Sequence, residues 1–114
     1  MDNDNTVIIN LRKFNKVIRE GDKTRIATFL DLHTAIDIAN EVILAFCMGM
    51  KVELNFTNAG FTIEENMLAS GGGFKKILII LCQYYQQEFI DEHLTITAGP
   101  KDLYLYQYIY KTSF

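Results

Sequence analysis

"LHTAIDIANEVILAFCMGMKVELNF", Leu32 to Phe56, carries two hydrophobic periods in succession, and the switch between them sets the class of fold. In the first part Ala35, Ile36, Ala39, Val42, Ile43 and Phe46 recur at spacings of three and four, with Asp37, Asn40 and Glu41 on the other side. That is the period of a helix with one buried face. Asp31 stands where an N-cap is wanted, and Gly49 supplies a left-handed stop. The second part alternates, with Val52, Leu54 and Phe56 on one face and Glu53 and Asn55 on the other, as a half-buried strand does. A helix delivered into such a strand predicts a sheet with helices packed on it.

Upstream, "TVIINLRKF" (Thr6–Phe14) reads as a strand, "GDKT" (Gly21–Thr24) as a turn, and "RIATFL" (Arg25–Leu30) as a second strand or the approach to the helix. Downstream, "TNAGFT" turns. Thr62 can cap a helix beginning at Ile63, with Glu65 completing a capping box and Glu64 and Glu65 favouring the helix N-terminus electrostatically. From Phe74 the helical spacing resumes at Ile77, Leu78, Leu81, Tyr84, Tyr85 and Phe89, and "LTITA" (Leu94–Ala98) is a strand. In the tail, Tyr104, Tyr106, Tyr108 and Tyr110 alternate as in a strand, yet Leu103, Tyr106, Ile109 and Tyr110 form a helical stripe behind Pro100; helix is the preferred reading. The expected architecture is a single α/β domain over residues 1–114, residues 1–5 forming a flexible tail. Its order is β-β-α-β-α-β and then a helix or strand, with a four- to five-stranded mixed sheet covered by helices on one face.

The chain of 114 residues is about half apolar, enough for a core without disulfides or metal. Its net charge of −3 exerts no general pull toward nucleic acid or anionic membrane. The charge is uneven: over residues 5–25, Arg12, Lys13, Lys16, Arg19, Lys23 and Arg25 face only Glu20 and Asp22, and the remainder is acidic. Such a cluster is ordinarily a solvated face and more sharply a docking surface for an acidic partner. Cys47 and Cys82 lie in apolar runs and read as buried, reduced thiols. The start "MDNDN" is unlike a signal peptide and the apolar runs are short, so a cytoplasmic protein free of membrane is the default expectation.

Motifs of chemistry are sparse. "SGGGFKK" (Ser70–Lys76) lacks the Lys-Ser/Thr pair of a phosphate loop and the Gly-x-Gly-x-x-Gly of a dinucleotide site. Gly71, Gly72 and Gly73 read instead as a bend, or a place where backbone approaches backbone. His33, His93, Cys47 and Cys82 have no zinc-ligand spacing. Glu64–Glu65 and Asp91–Glu92 are accounted for as helix ends, so no catalytic, metal or cofactor residue is assigned. Exposed tyrosines in the tail would suit an interface.

At "KVELNFTNAGFTIEENMLASGGGFKKIL" (Lys51–Leu78) the chain resembles small STAS-like domains, relatives of the sulfate-transporter and anti-sigma-factor-antagonist modules. There, a helix leads to a V-x-L/I-D-F strand, a short turn and a second helix, then a further strand and a last helix. The resemblance covers roughly residues 24–110. The family's strand aspartate is Asn55 here, and Thr62, Ile63, Glu64 and Glu65 occupy the region of the phosphorylated serine, so phospho-switching is not carried over. What the resemblance implies is a non-enzymatic regulatory module that docks a protein partner such as a kinase-like ATPase. The expected docking surface is Asn58, Gly60, Thr62, Glu64 and Glu65, because the turn after a strand's C-terminal end is where α/β sheets expose their working surface. A homodimer is also allowed. The alternatives are a small phage or mobile-element protein that inhibits a host enzyme or defence system by direct binding, and third, a small enzyme of unknown reaction.

Overall fold

The computed structural model describes residues 5–28, 30–59 and 73–114. Among the described residues five strands and four α-helices run in the order β1 (Thr6–Asn10), a 3-10 turn (Leu11–Phe14), β2 (Asn15–Glu20), β3 (Lys23–Thr28), α1 (Leu32–Cys47), β4 (Lys51–Asn55), α2 (Gly73–Cys82), α3 (Gln87–His93), β5 (Leu94–Thr97) and α4 (Leu103–Thr112). The mixed α/β class expected from the two periods is the one observed. The strands divide into a parallel three-stranded sheet, β1-β4-β5, and a separate antiparallel hairpin, β2-β3. Parallel neighbours need long crossovers, and the chain supplies them through the hairpin and α1 on one side of β4, and through α2 and α3 on the other.

Register explains the layering. Val7, Val52 and Leu94 align, as do Ile9, Leu54 and Ile96. These residues form the apolar face and join the core with Ala35, Ile38, Val42 and Phe46 of α1, Phe74, Ile77, Leu78 and Leu81 of α2, Ile90 of α3, and Tyr106 and Ile109 of α4. The alternate residues Ile8, Asn10, Glu53, Asn55, Thr95 and Thr97 form the other face, exposed or half-buried. The strict alternation in Lys51–Phe56 is thus one row of a two-sided sheet.

Helix α1 begins as expected: Asp31 is extended and its carboxylate accepts from the Thr34 N–H at 2.8 Å. Beyond its end, Gly49 adopts φ +77°, the left-handed conformation that ends helices. Its core stripe is turned from the expected one. Ile38 is fully buried, whereas Ile36 is 38% exposed, because the sheet meets the helix along Ala35, Ile38, Ala39 and Val42.

Three further differences follow from tertiary demands. The stretch Thr6–Phe14 is not one strand; β1 stops at Asn10 and the 3-10 turn buries Leu11 completely, re-aiming the chain into β2. The helix expected to run on past Leu81 breaks at Gln83–Gln86, where the N–H groups of Gln83 and Tyr84 fold back onto the carbonyls of Ile80 and Leu81. Cys47 and Cys82, expected buried, are exposed, since Phe46 and Leu81 take the adjoining core positions. The tail resolves as helix α4: Tyr106 and Ile109 share its buried face, a gain of roughly 1.5–3 kcal/mol per large side chain that an alternating strand would not place on one stripe. No helix among the described residues is long and apolar enough to cross a membrane.

Candidate functional site

The three parallel strands end together. Asn10 of β1 lies opposite Asn55 of β4, and Asn55 opposite Thr97 of β5, so a polar layer closes the carboxyl edge of the sheet directly above the apolar layer Ile9, Leu54 and Ile96. The turn that leaves this edge is held by its own side chains. Asn55 Oδ1 accepts from the Thr57 N–H at 2.8 Å, an Asx turn, and Asn55 Nδ2 donates to Glu53 Oε2 at 3.3 Å. The Ala59 N–H donates to the Phe56 carbonyl at 3.0 Å, and Asn58 sits at φ +64°, a left-handed conformation that asparagine tolerates better than most residues. Asn15 Nδ2 donates to the Asn58 carbonyl at 3.1 Å, tying the turn to the start of the hairpin.

This geometry gives a reason for the amide at position 55. An aspartate could accept from Thr57 equally well, but it could not donate to Glu53 and would set two carboxylates side by side. The departure from the STAS-like strand pattern is therefore matched to its neighbour on the same face.

Beneath the turn lies an aromatic floor. Phe56 stacks on Tyr106 with ring centroids 4.1 Å apart, and Phe74 meets both edge-on at 5.3 and 5.6 Å. Burial pushes the Tyr106 hydroxyl far above the ordinary tyrosine range. Gly73, the first described residue of α2, is buried against Leu30 so closely that an added Cβ would collide with the Leu30 carbonyl and Cβ. The glycine run thus does include a point of backbone approach.

Of the five residues expected to form the docking surface, Asn58 is placed on this edge and exposed. Gly60, Thr62, Glu64 and Glu65 lie outside the described residues, as do Gly71 and Gly72. Asn10, Asn15 and Thr97 were not legible as members of the site; only the parallel register and the hairpin bring them to it. What the described residues of the edge offer is amides and hydroxyls, groups that donate and accept hydrogen bonds, with Glu53 as the neighbouring charge.

The histidines and cysteines stand elsewhere. His33 lies 3.8 Å from Asp37 one turn along α1. His93 belongs to a ladder in which Tyr85, Phe89 and His93 stack in turn, centroids 4.8 and 4.0 Å apart, with Phe46 edge-on to all three. Its Nδ1 lies 2.8 Å from the Phe89 carbonyl, which can only accept, so Nδ1 carries the proton. Cys47 Sγ is 3.7 Å from the Tyr85 hydroxyl, and the partial desolvation of the otherwise exposed Cys82 raises its thiol above its ordinary value. Among the described residues no group of three or more His, Cys, Asp or Glu converges as a metal site would require.

No protein-family model, curated protein or solved structure matches this chain.

Proposed function

We propose that the chain is a regulatory protein–protein interaction module, resembling STAS-like domains, that docks a protein partner through the turn following β4. The observation that carries this reading is the carboxyl edge of the parallel sheet. It gathers Asn10, Asn55 and Thr97 in one layer and holds Asn58 exposed on a turn braced by three hydrogen bonds. A rigid edge of neutral hydrogen-bonding groups suits recognition of another chain's polar surface, and braced loops on a sheet are where such recognition is commonly placed. The described elements from α1 onward, helix, strand, two helices, strand and helix, are compatible with the order the resemblance implies, with α3 as an additional helix.

The test is affinity capture of the partner from native cells, followed by binding to a Glu64→Lys, Glu65→Lys double variant. Charge reversal beside a docking surface selects partners and changes encounter rates, so affinity should fall by roughly tenfold or more, with circular dichroism unchanged. A folded double variant that binds with wild-type affinity would remove the β4 turn and its neighbouring acids from the interface.

A further inference from the structure

β5 forms one side of the parallel sheet, and among the described residues no strand lies beyond it. The direction of its backbone follows from one hydrogen bond. The Thr97 carbonyl accepts from the Phe56 N–H at 2.7 Å, with Thr97 opposite Asn55. In a parallel pair, alternate residues turn both of their backbone groups to the same neighbour. Thr95 and Thr97 therefore face β4, and Ile96 turns its N–H and its carbonyl outward.

What Ile96 faces is a groove of about 420 Å³, walled by Asp91 of α3, Leu94 and Ile96 of β5, and Gln107, Tyr110 and Lys111 of α4. The Tyr110 hydroxyl donates to Asp91, which pins the last turn of α4 to α3. At its other end α4 is pinned by the Tyr106–Phe56 stack at the carboxyl end of β4. So α4 runs antiparallel to β5 and holds the groove open along the strand. Next round the helix from the groove stand Tyr104 and Tyr108, 65% and 62% exposed.

We propose that this edge is a homodimer interface. β5 of a second copy pairs antiparallel with β5, joining the two parallel sheets into one, with α4 lying along its counterpart. Three observations select a second copy as the occupant. First, the strand "LTIT" holds no charge and no proline, two of the devices that keep an edge strand from pairing, and is rich in β-branched residues that favour it. Second, the outward residue is placed for a two-fold axis. In an antiparallel pair, opposed residues exchange both backbone bonds, so Ile96 opposite Ile96 of the second copy satisfies all four of the groups involved. Third, the charges are self-complementary under that axis. Asp91 and Lys111 line the groove and Lys101 and Asp102 follow the end of β5 in the chain, so each of the two ends that the two-fold brings together carries one acid and one base, and the charges meeting there sum to zero. Exposed tyrosines beside the groove add the side chains most enriched at interface centres.

The proposal is tested on the full chain by sedimentation velocity across a concentration series, with amide hydrogen exchange read at both ends of the series. A concentration-dependent dimer is expected, and the Ile96 amide should be protected when the protein is concentrated and exchange freely when it is dilute. Ile96→Pro removes the outward N–H without removing a bond to β4 and should leave a folded monomer. Tyr104→Lys with Tyr108→Lys leaves the strand intact and should weaken the dimer by roughly tenfold. Should Ile96→Pro not fold, the wild-type exchange data and the tyrosine variant decide the matter. A wild-type monomer at millimolar concentration, a dimer whose Ile96 amide exchanges freely, or a dimer indifferent to Tyr104→Lys and Tyr108→Lys would each overturn it. None of these outcomes bears on partner docking at the β4 turn, which lies at a different edge and is read with a different protein.

Discussion

Gly73 is the residue at which one missing carbon matters most. Its environment contains the Leu30 carbonyl and Cβ where a side chain would begin, and backbone cannot swing aside as the end of a flexible side chain can. Gly73→Ala should therefore act as overpacking of a closed core, lowering stability by about 1–3 kcal/mol even though alanine is the better helix former. Urea denaturation checks this: the midpoint should drop with an unchanged slope. A midpoint equal to wild type would mean that the Leu30 segment yields without cost. The three glycines look alike in the sequence, and the contact that distinguishes Gly73 comes from a residue more than forty positions upstream. Asn55 is the opposite case. Its place at the end of an alternating strand is evident from Lys51–Phe56, but its partner Glu53 and its acceptance from Thr57 depend on the turn actually closing.

At the scale of the element, α1 shows how much a single cap contributes to legibility. Asp31, the helical period and Gly49 are local signals, and the helix forms between them. The backbone N–H of Thr34, and then its hydroxyl, hold the Asp31 carboxyl below its ordinary range. The native pKa is thus depressed relative to the unfolded chain. The cap's contribution is complete above the ordinary aspartate value and is lost as pH falls through the depressed one. Asp31→Asn keeps an acceptor for Thr34 but does not titrate, so below about pH 4 its melting temperature should fall less steeply than that of wild type. Asp31→Ala should melt lower even at neutral pH. Parallel acid limbs for wild type and Asp31→Asn, measured by thermal circular dichroism, would show that the carboxyl carries no linkage. The β2 strand carries no legible signal in the sequence for a related reason. "NKVIRE" sets Val17 beside Ile18 and fills the rest with Asn, Lys, Arg and Glu, so no period of two appears, and only pairing with Lys23–Thr28 across the Gly21–Asp22 turn makes it a strand.

For the whole molecule, the tyrosines link packing to pH. Burial, above all, raises Tyr106, and burial together with the bond to Asp91 raises Tyr110. Both groups are neutral when protonated, and the folded state holds that form longer than the unfolded one does. Their contribution is complete below the ordinary tyrosine value of about 10 and is lost as pH climbs above it, because the unfolded chain ionises first. The melting temperature should hold up to about pH 9 and fall steeply beyond it. Tyr106→Phe removes the most deeply buried of these phenols and should flatten the alkaline limb. An equally steep limb in that variant would assign the loss to other groups.

The extent of each element that is periodic over its own length was determined by the sequence alone. That holds, to within a residue at the end, for the helix Leu32–Cys47, the strand Lys51–Asn55 and the strand Leu94–Thr97, whereas the tail Leu103–Thr112 carries both periods and only packing made it a helix. Local period, caps and turn residues act within a few positions, and nothing distant contradicts them. Which face of α1 is buried, where the helix after Phe74 breaks, and which polar residues meet at the sheet's edge were decided by tertiary structure. Ile36 and Ile38 are equally hydrophobic, and only the approach of β4 and α2 separates them. Asn10, Asn55 and Thr97 are neighbours because parallel strands align their ends through long crossovers, and that alignment is a property of packing rather than of any one segment.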